Sequence, residues 1–382
     1  MVRQPLALNF LKYNVRLFGN TVVAHGTPTV VYCDDHLRAT LFEDRFRAFA
    51  RAGSPPDAVG MTEFWDGSLV PAFQKPGFWE EYQFCHGPFG RGFPEIFEIM
   101  REKGSFLYPL ISSNPDIVVR YFARSQLLEG VRAVSKPLAT LFKAMEEIPL
   151  RPIKGRLVEM MKDRTFLGSG LFLLIRRRHK IVSHRFIPFE SKKYGLDLYA
   201  QKGILHVVLE LPDGQRLSVF LTHLHVGRTE EDRSARREQI LQIKRLIEES
   251  PYPVILMGDL NIIAEEVDLK TGRLIPSEEY LWTVENLGLV DTFREFHQDP
   301  NKGPESRGYT YDDTTHFSKV LGIDALSGSR RHFQRIDYIF RDRHFETRFA
   351  QVSRDQMRHP RYGGRDLSDH FPVCATLVAE GG

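Results

Sequence analysis

Residues 253–261 read Pro253-Val254-Ile255-Leu256-Met257-Gly258-Asp259-Leu260-Asn261. An unbroken apolar run between a proline and a glycine makes a strand buried on both faces. The run stops at a carboxylate and an amide two residues apart, which an extended backbone turns to the same side. Gly258 permits a sharp turn there, so two polar heads sit at a strand end, where sheets carry their reactive groups. Asp and Asn also close strands as ordinary turn residues. The stretch therefore takes its meaning from others like it.

Such stretches recur along the chain. Residues 6–15 predict a first strand ending on Asn14. A helix is expected over 37–51, where Leu37, Leu41, Phe42, Phe46 and Phe49 recur at helical spacing, and Pro55-Pro56 closes it. Residues 58–63 form a short strand ending on Glu63. A carboxylate at the end of a buried strand is expensive unless it is paired or holds a metal. Residues 168–175 are a glycine-led core strand, followed by Arg176-Arg177-Arg178 as a solvated turn. A hairpin spans 203–211 and 216–224 around Pro212-Asp213-Gly214, and its second strand ends Thr222-His223-Leu224-His225. A helix opens at Thr229 with acids in its first turn and runs to 249; another covers 278–286. Strands are expected at 333–340 and 345–352, and Ser368-Asp369-His370 leads into a last strand at 371–378. Hairpins mixed with helices, rather than strict βαβ repeats, predict mixed sheets stacked face to face with helices outside.

The chain has 382 residues, 42% hydrophobic and 26% charged, which suits one large α/β (α+β) catalytic domain over 1–382 with an insertion. The insertion is placed at 77–165, where Gly, Pro and aromatic residues give way to a basic amphipathic helix over 116–147. Such a helix can lie on an anionic membrane surface or pack on its own domain. A net charge of +3 gives no strong nucleic-acid footprint. Cys33, Cys85 and Cys374 show neither metal spacing nor a disulfide framework. No secretory leader or membrane-spanning run is visible, so a cytoplasmic or peripheral-membrane location is expected, with signal-peptide-independent export as the other route.

Carboxylates with an amide and no cysteine make a hard oxygen site suited to magnesium, with manganese or cobalt as substitutes. Histidines with acidic neighbours move protons near neutral pH. There is no Gly-rich phosphate loop and no serine elbow. These parts fit metal-assisted attack of water on a phosphate ester.

Asn14, Glu63 before Phe64-Trp65, Thr222-His223-Leu224, Gly258-Asp259-Leu260-Asn261, Ile336-Asp337-Tyr338 and Ser368-Asp369-His370 stand in the order of the endonuclease/exonuclease/phosphatase superfamily. The chain resembles that family outside 77–165. The resemblance implies a four-layer DNase I-like sandwich. Within it the chain looks most like a neutral sphingomyelinase: Glu63-Phe64-Trp65 and Thr222-His223-Leu224-His225 resemble that branch. Asp197 and Lys202 stand at the spacing of its paired switch, which would otherwise be a surface pair. The Trp-Cys-Asp-Arg stretch of the inositol phosphatases is absent before Ile336. Thr62 stands where abasic-site endonucleases carry a Gln, and departs from many sphingomyelinases too.

The resemblance implies the following roles. Glu63 binds the metal with Asn14 beside it, and Asp369 supports that side. Asp259 and His370 position and deprotonate the attacking water, with the choice of base between them open. His223 stabilises or protonates the leaving alkoxide, Asn261 holds phosphoryl oxygens, and Asp337 orients His370. The implied reaction is hydrolysis of sphingomyelin or a related phospholipid at a membrane surface to ceramide and phosphocholine. A nuclease and a phosphoinositide phosphatase of the same fold are the alternatives, and nucleic acid is the less expected partner.

Overall fold

In a computed structural model, residues 6–17, 35–52, 55–65, 67–89, 168–193, 197, 200–315 and 333–379 are described. The central run is strand β8 (Val254–Asp259). Its side chains alternate: Ile255 and Met257 enter one core, Val254 and Leu256 another. Burial on both faces is why the run is apolar throughout instead of alternating with polar residues.

Two six-stranded sheets build the protein. The first has the order β15-β18-β1-β2-β4-β3, from β1 (Ala7–Leu17), β2 (Ala58–Phe64), β3 (Tyr82–His86), β4 (Phe172–Arg176), β15 (Phe345–Val352) and β18 (Val373–Ala379). The second has the order β11-β14-β8-β7-β6-β5, from β5 (Lys180–Pro188), β6 (Gly203–Glu210), β7 (Arg216–His223), β8, β11 (Val290–Asp291) and β14 (Asp337–Arg341). Both are mixed: β1 and β2 run parallel, as do β7 and β8, while the other pairs are antiparallel. Short ladders lie outside them: β9 (Glu265–Val267) with β10 (Leu274–Pro276), β12 (Tyr311–Asp312) with β13 (Phe333–Gln334), and β16 (Arg358–His359) with β17 (Arg365–Asp366).

The sheets face each other across Phe10, Leu173, Val207, Val219, Met257 and Ile339. Helix α1 (Asp35–Ala52) covers the outer face of the first sheet, setting Leu41, Phe42 and Phe46 on Tyr13, Met61 and Leu174. Helices α2 (Glu230–Glu248) and α3 (Glu278–Leu287) cover the second with Ile240, Ile243 and Tyr280 on Phe220, Leu256 and Phe340. Each such buried Leu, Ile or Phe contributes about 1.5–3 kcal/mol over leaving it in water. The result is the expected helix–sheet–sheet–helix sandwich. Thr229 caps α2 in a reciprocal capping box with Asp232.

The structure departs from sequence expectation in four places. β1 does not stop at Asn14. It continues to Leu17 through an irregular register against β2. The strand expected over 333–340 breaks at Arg335-Ile336 into β13 and β14. β5 is an additional edge strand. Residues 82–86, read as part of the insertion, form β3 on the edge of the first sheet. Residues 90–165, including the helix expected at 116–147, lie outside the described residues.

Candidate active site

The two parallel strand pairs deliver their carboxyl-terminal ends to one edge of the sandwich. Asn14 is level with Thr62, beside Glu63, in the first sheet. In the second, Asp259 lies between His223 on β7 and Asp337 on β14. The chain has three non-glycine residues with positive φ among those described, and all are here: Arg16 at 49°, Glu63 at 57° and Asn261 at 52°. A left-handed backbone costs an L-residue about 1–2 kcal/mol, and such strain gathers at functional sites.

Asn14 joins the two sheets. Its Nδ2 donates to Glu63 Oε1 and to Asp259 Oδ2, both at 2.9 Å, and lies 3.4 Å from His370 Nε2. Asp259 is buried. Its Oδ1 accepts the Asn261 backbone N–H at 3.0 Å. Its Oδ2 sits between two imidazoles, 3.8 Å from His223 Nε2 and 3.9 Å from His370 Nε2. Asn261 Nδ2 donates to the Leu224 carbonyl at 3.1 Å, which ties the β8 end to the turn after β7. His370 Nδ1 meets Asp337 Oδ2 at 2.7 Å. The other Asp337 oxygen is paired with Lys12, a residue that motif reading passes over. Its signal was one lysine in an apolar strand, two residues before Asn14 and so on the same face.

Asp197 and Lys202 do not form a surface pair. They are 2.9 Å apart and 5% and 4% exposed. Lys202 Nζ also donates to the Leu224 carbonyl at 2.6 Å and lies 3.3 Å from His223 Nε2. Asp197 in turn accepts the Val226 N–H at 3.1 Å and meets His225 Nδ1 at 2.7 Å. His225 Nε2 reaches Asp232 Oδ1 at 2.7 Å. The second histidine of Thr222-His223-Leu224-His225 is thus a brace between two carboxylates, and the first faces the site.

Charge differs across the site. Burial pulls His370 down, but Asp337, with Asp259 and Asp369, outweighs it and pushes the imidazole up to about 9. Burial drives His223 the other way, well below its ordinary value, and the Lys202 ammonium adds to this. An ammonium only donates, so His223 Nε2 accepts from Lys202. Burial would raise Asp337, yet Lys12 and His370 hold it below the usual carboxylate range. Burial, aided by Asp369, raises Glu63.

Ligand atoms of Glu63, Asp259 and His370 lie within 4.8 Å of one another. Two carboxylates and one imidazole, with the Asn14 amide alongside, fit a divalent cation that prefers oxygen and tolerates one nitrogen. A raised Glu63 also fits, because a bound dication favours its ionised form. Asp369 lies outside that 4.8 Å group but close enough to raise both Glu63 and His370. It pairs with Arg16 and accepts from Ser368 Oγ at 3.3 Å.

Two stacked mixed sheets bring carboxylates, amides and histidines together at one edge, the set of groups a divalent-cation-dependent hydrolase uses. The family model described as Endonuclease/Exonuclease/phosphatase family matches residues 13–370, and the chain belongs to that family. Solved structures share the fold at low identity. D. rerio TDP2 complexed with a single-strand DNA product is 14% identical with a TM-score of 0.53, over 97% of this chain and 98% of that one. An endonuclease/exonuclease/phosphatase family protein from Bacteroides thetaiotaomicron is 16% identical with a TM-score of 0.53, over 99% and 100%. Beta toxin from Staphylococcus aureus is 17% identical with a TM-score of 0.51, over 96% and 99%. No curated protein matches the sequence significantly.

Proposed function

We propose that this protein is a magnesium-dependent phosphodiesterase of phospholipase C type. It cleaves sphingomyelin or a related phospholipid at a membrane surface, giving ceramide and phosphocholine. The observation that carries the hydrolytic reading is Asp259 Oδ2 set between His223 and His370 at 3.8 and 3.9 Å, with Glu63 in the same cluster. Two imidazoles of opposite charge preference flank one anionic pocket, so protons can enter and leave it on either side.

Glu63 and Asp259, with Asn14 beside them, are the residues that would hold the cation. A bound magnesium supplies Lewis-acid polarisation of a phosphoryl oxygen. The chain's own groups supply the rest. Without a metal His370 keeps a second proton, held by Asp337, Asp259 and Asp369; a dication beside Glu63 would oppose that charge, and the Nε2 so freed, with Nδ1–H still given to Asp337, is assigned the base role. Asp259 places the attacking water. His223, neutral and backed by Lys202 at 3.3 Å, serves the leaving alkoxide, with the lysine as the proton reserve behind it. Asn261 steadies the phosphoryl oxygens next to the Leu224 turn.

The lipid assignment rests on the sphingomyelinase resemblance, and the buried Asp197–Lys202 pair against His223 supports it. Among the described residues no helix is long and apolar enough to cross a membrane, which is compatible with peripheral contact. The test is a magnesium-dependent assay on mixed micelles of sphingomyelin, lysophosphatidylcholine and phosphatidylinositol phosphate, read by product mass. Phosphocholine released from sphingomyelin, and lost with chelator or in His370→Ala, is the expected result. Free phosphate from the inositol lipid, or cleavage of DNA with all lipids silent, would overturn the substrate.

A further inference from the structure

Lys12 has no part in the scheme above, yet it is completely buried at 0% exposure. Its Nζ donates to Thr62 Oγ1 at 3.0 Å and to Asp337 Oδ1. Burying an ammonium is costly, and packing alone would put an apolar residue here. Thr62 supplies the second acceptor.

An ammonium has three donors and no acceptor, so the Asp337 atom against it must be an acceptor. With a carboxylate on both faces, Oδ1 takes Lys12 and Oδ2 takes the Nδ1–H of His370 at 2.7 Å. In the neutral ring that leaves the Nε2 lone pair turned toward Asn14 and Asp259. We propose that Lys12 is a positioning residue: by clamping one oxygen of Asp337 it dictates which face His370 meets, and through it the tautomer of His370. The kinetic consequences rest on the hydrolytic function proposed above. The tautomer does not.

The clamp makes one unusual forecast. In Asp337→Asn the amide must keep its oxygen on Lys12, so its NH2 faces His370. Nδ1 then becomes an acceptor and the ring proton moves to Nε2, which silences the base. Removing Lys12 as well frees the amide to turn round and offer its oxygen to Nδ1–H. Lys12→Met should therefore lower kcat in the native background by about 10- to 100-fold, the usual loss for a residue supporting a ligand or base, with KM little changed. In the Asp337→Asn background the same substitution should raise kcat.

The experiment is steady-state kinetics on the two single variants and the double variant. Nitrogen-15 NMR of the histidine rings runs beside it on metal-free full-length protein at about pH 10, where the His370 ring is neutral and has a tautomer, with His370→Ala to assign the resonance. The expected result is loss of the His370 Nδ1–H in Asp337→Asn and its return in the double variant. An unchanged His370 tautomer across the series, or a Lys12→Met effect of the same sign in both backgrounds, would overturn the proposal. If Lys12→Met does not fold, Lys12→Gln makes the same test, since its amide can donate or accept. If no phosphodiester is cleaved, the function proposed above fails while the NMR series still decides the role of Lys12.

Discussion

Lys202→Met tests the leaving-group side of the mechanism. Methionine keeps the length of the side chain and removes its charge and three donors. Lys202 Nζ serves Asp197 Oδ1 at 2.9 Å, the Leu224 carbonyl at 2.6 Å and His223 Nε2 at 3.3 Å. Removing one partner of a buried ion pair costs about 3–5 kcal/mol. The lower end is expected here, because Asp197 keeps His225 and the Val226 N–H. The kinetic loss should depend on the leaving group. A lipid alkoxide needs a proton as it departs, so losing the reserve behind His223 should lower kcat by about 100-fold, or ~2.7 kcal/mol, toward the small end for general acid catalysis. A p-nitrophenyl ester of phosphocholine leaves as a stable phenolate and should lose less than about tenfold for want of that same acid. The assay compares kcat for the two substrates in native and variant enzyme, at a temperature where both remain folded by circular dichroism. Equal losses on the two substrates would refute the assignment of Lys202 and His223 to the leaving group.

Magnesium should raise the unfolding temperature of the native protein and leave Glu63→Gln nearly unchanged, because a ligand that binds only the folded state stabilises it by mass action; differential scanning fluorimetry reads this. His206 is pushed down to about 4 from the ordinary 6.5 by burial and by Arg185. The unfolded chain takes up that proton first, so stability should fall as pH drops from 6.5 to 4 and show no contribution from this group above it; urea midpoints for native and His206→Phe proteins should converge toward acid pH. Gly170 has φ +66° and a Cβ there would sit 2.8 Å from the Trp65 ring. Gly170→Ala should cost about 1–3 kcal/mol in backbone strain alone and displace the indole that lies 6.2 Å from His223, which tryptophan fluorescence would register.

The fold was legible wherever burial is uniform. β8 announced itself because both of its faces meet a core, and the α1 stripe because one face does. β5 did not, because six of its nine residues are exposed and Ser183-His184-Arg185 break any alternation of its apolar residues. β3 was hidden in a stretch whose aromatic texture resembled an insertion. At the site, Glu63, His223, Asp259, Asn261, Asp337 and His370 could be picked out because each ends or begins a strand. Their partners could not. Lys12 meets Asp337 across 325 positions, and Arg16 meets Asp369 across 353. Pairings so distant follow from strand order, which no local pattern encodes. Asp369, adjacent in sequence to His370, takes a partner from the far end of the chain in the same way.

The pairing of β1 with β18, Ala7 level with Val378, has a consequence for how the protein comes into being. Asn14 and His370 belong to one cluster, yet nearly the whole chain is synthesised between them. A nascent chain on the ribosome can bury much of the second sheet, but it cannot bring His370 to Asn14 until β18 docks beside β1. Contacts of that span form late and slowly. The cluster is thus absent from every copy in which β18 has not yet reached β1, however much of the second sheet is already folded.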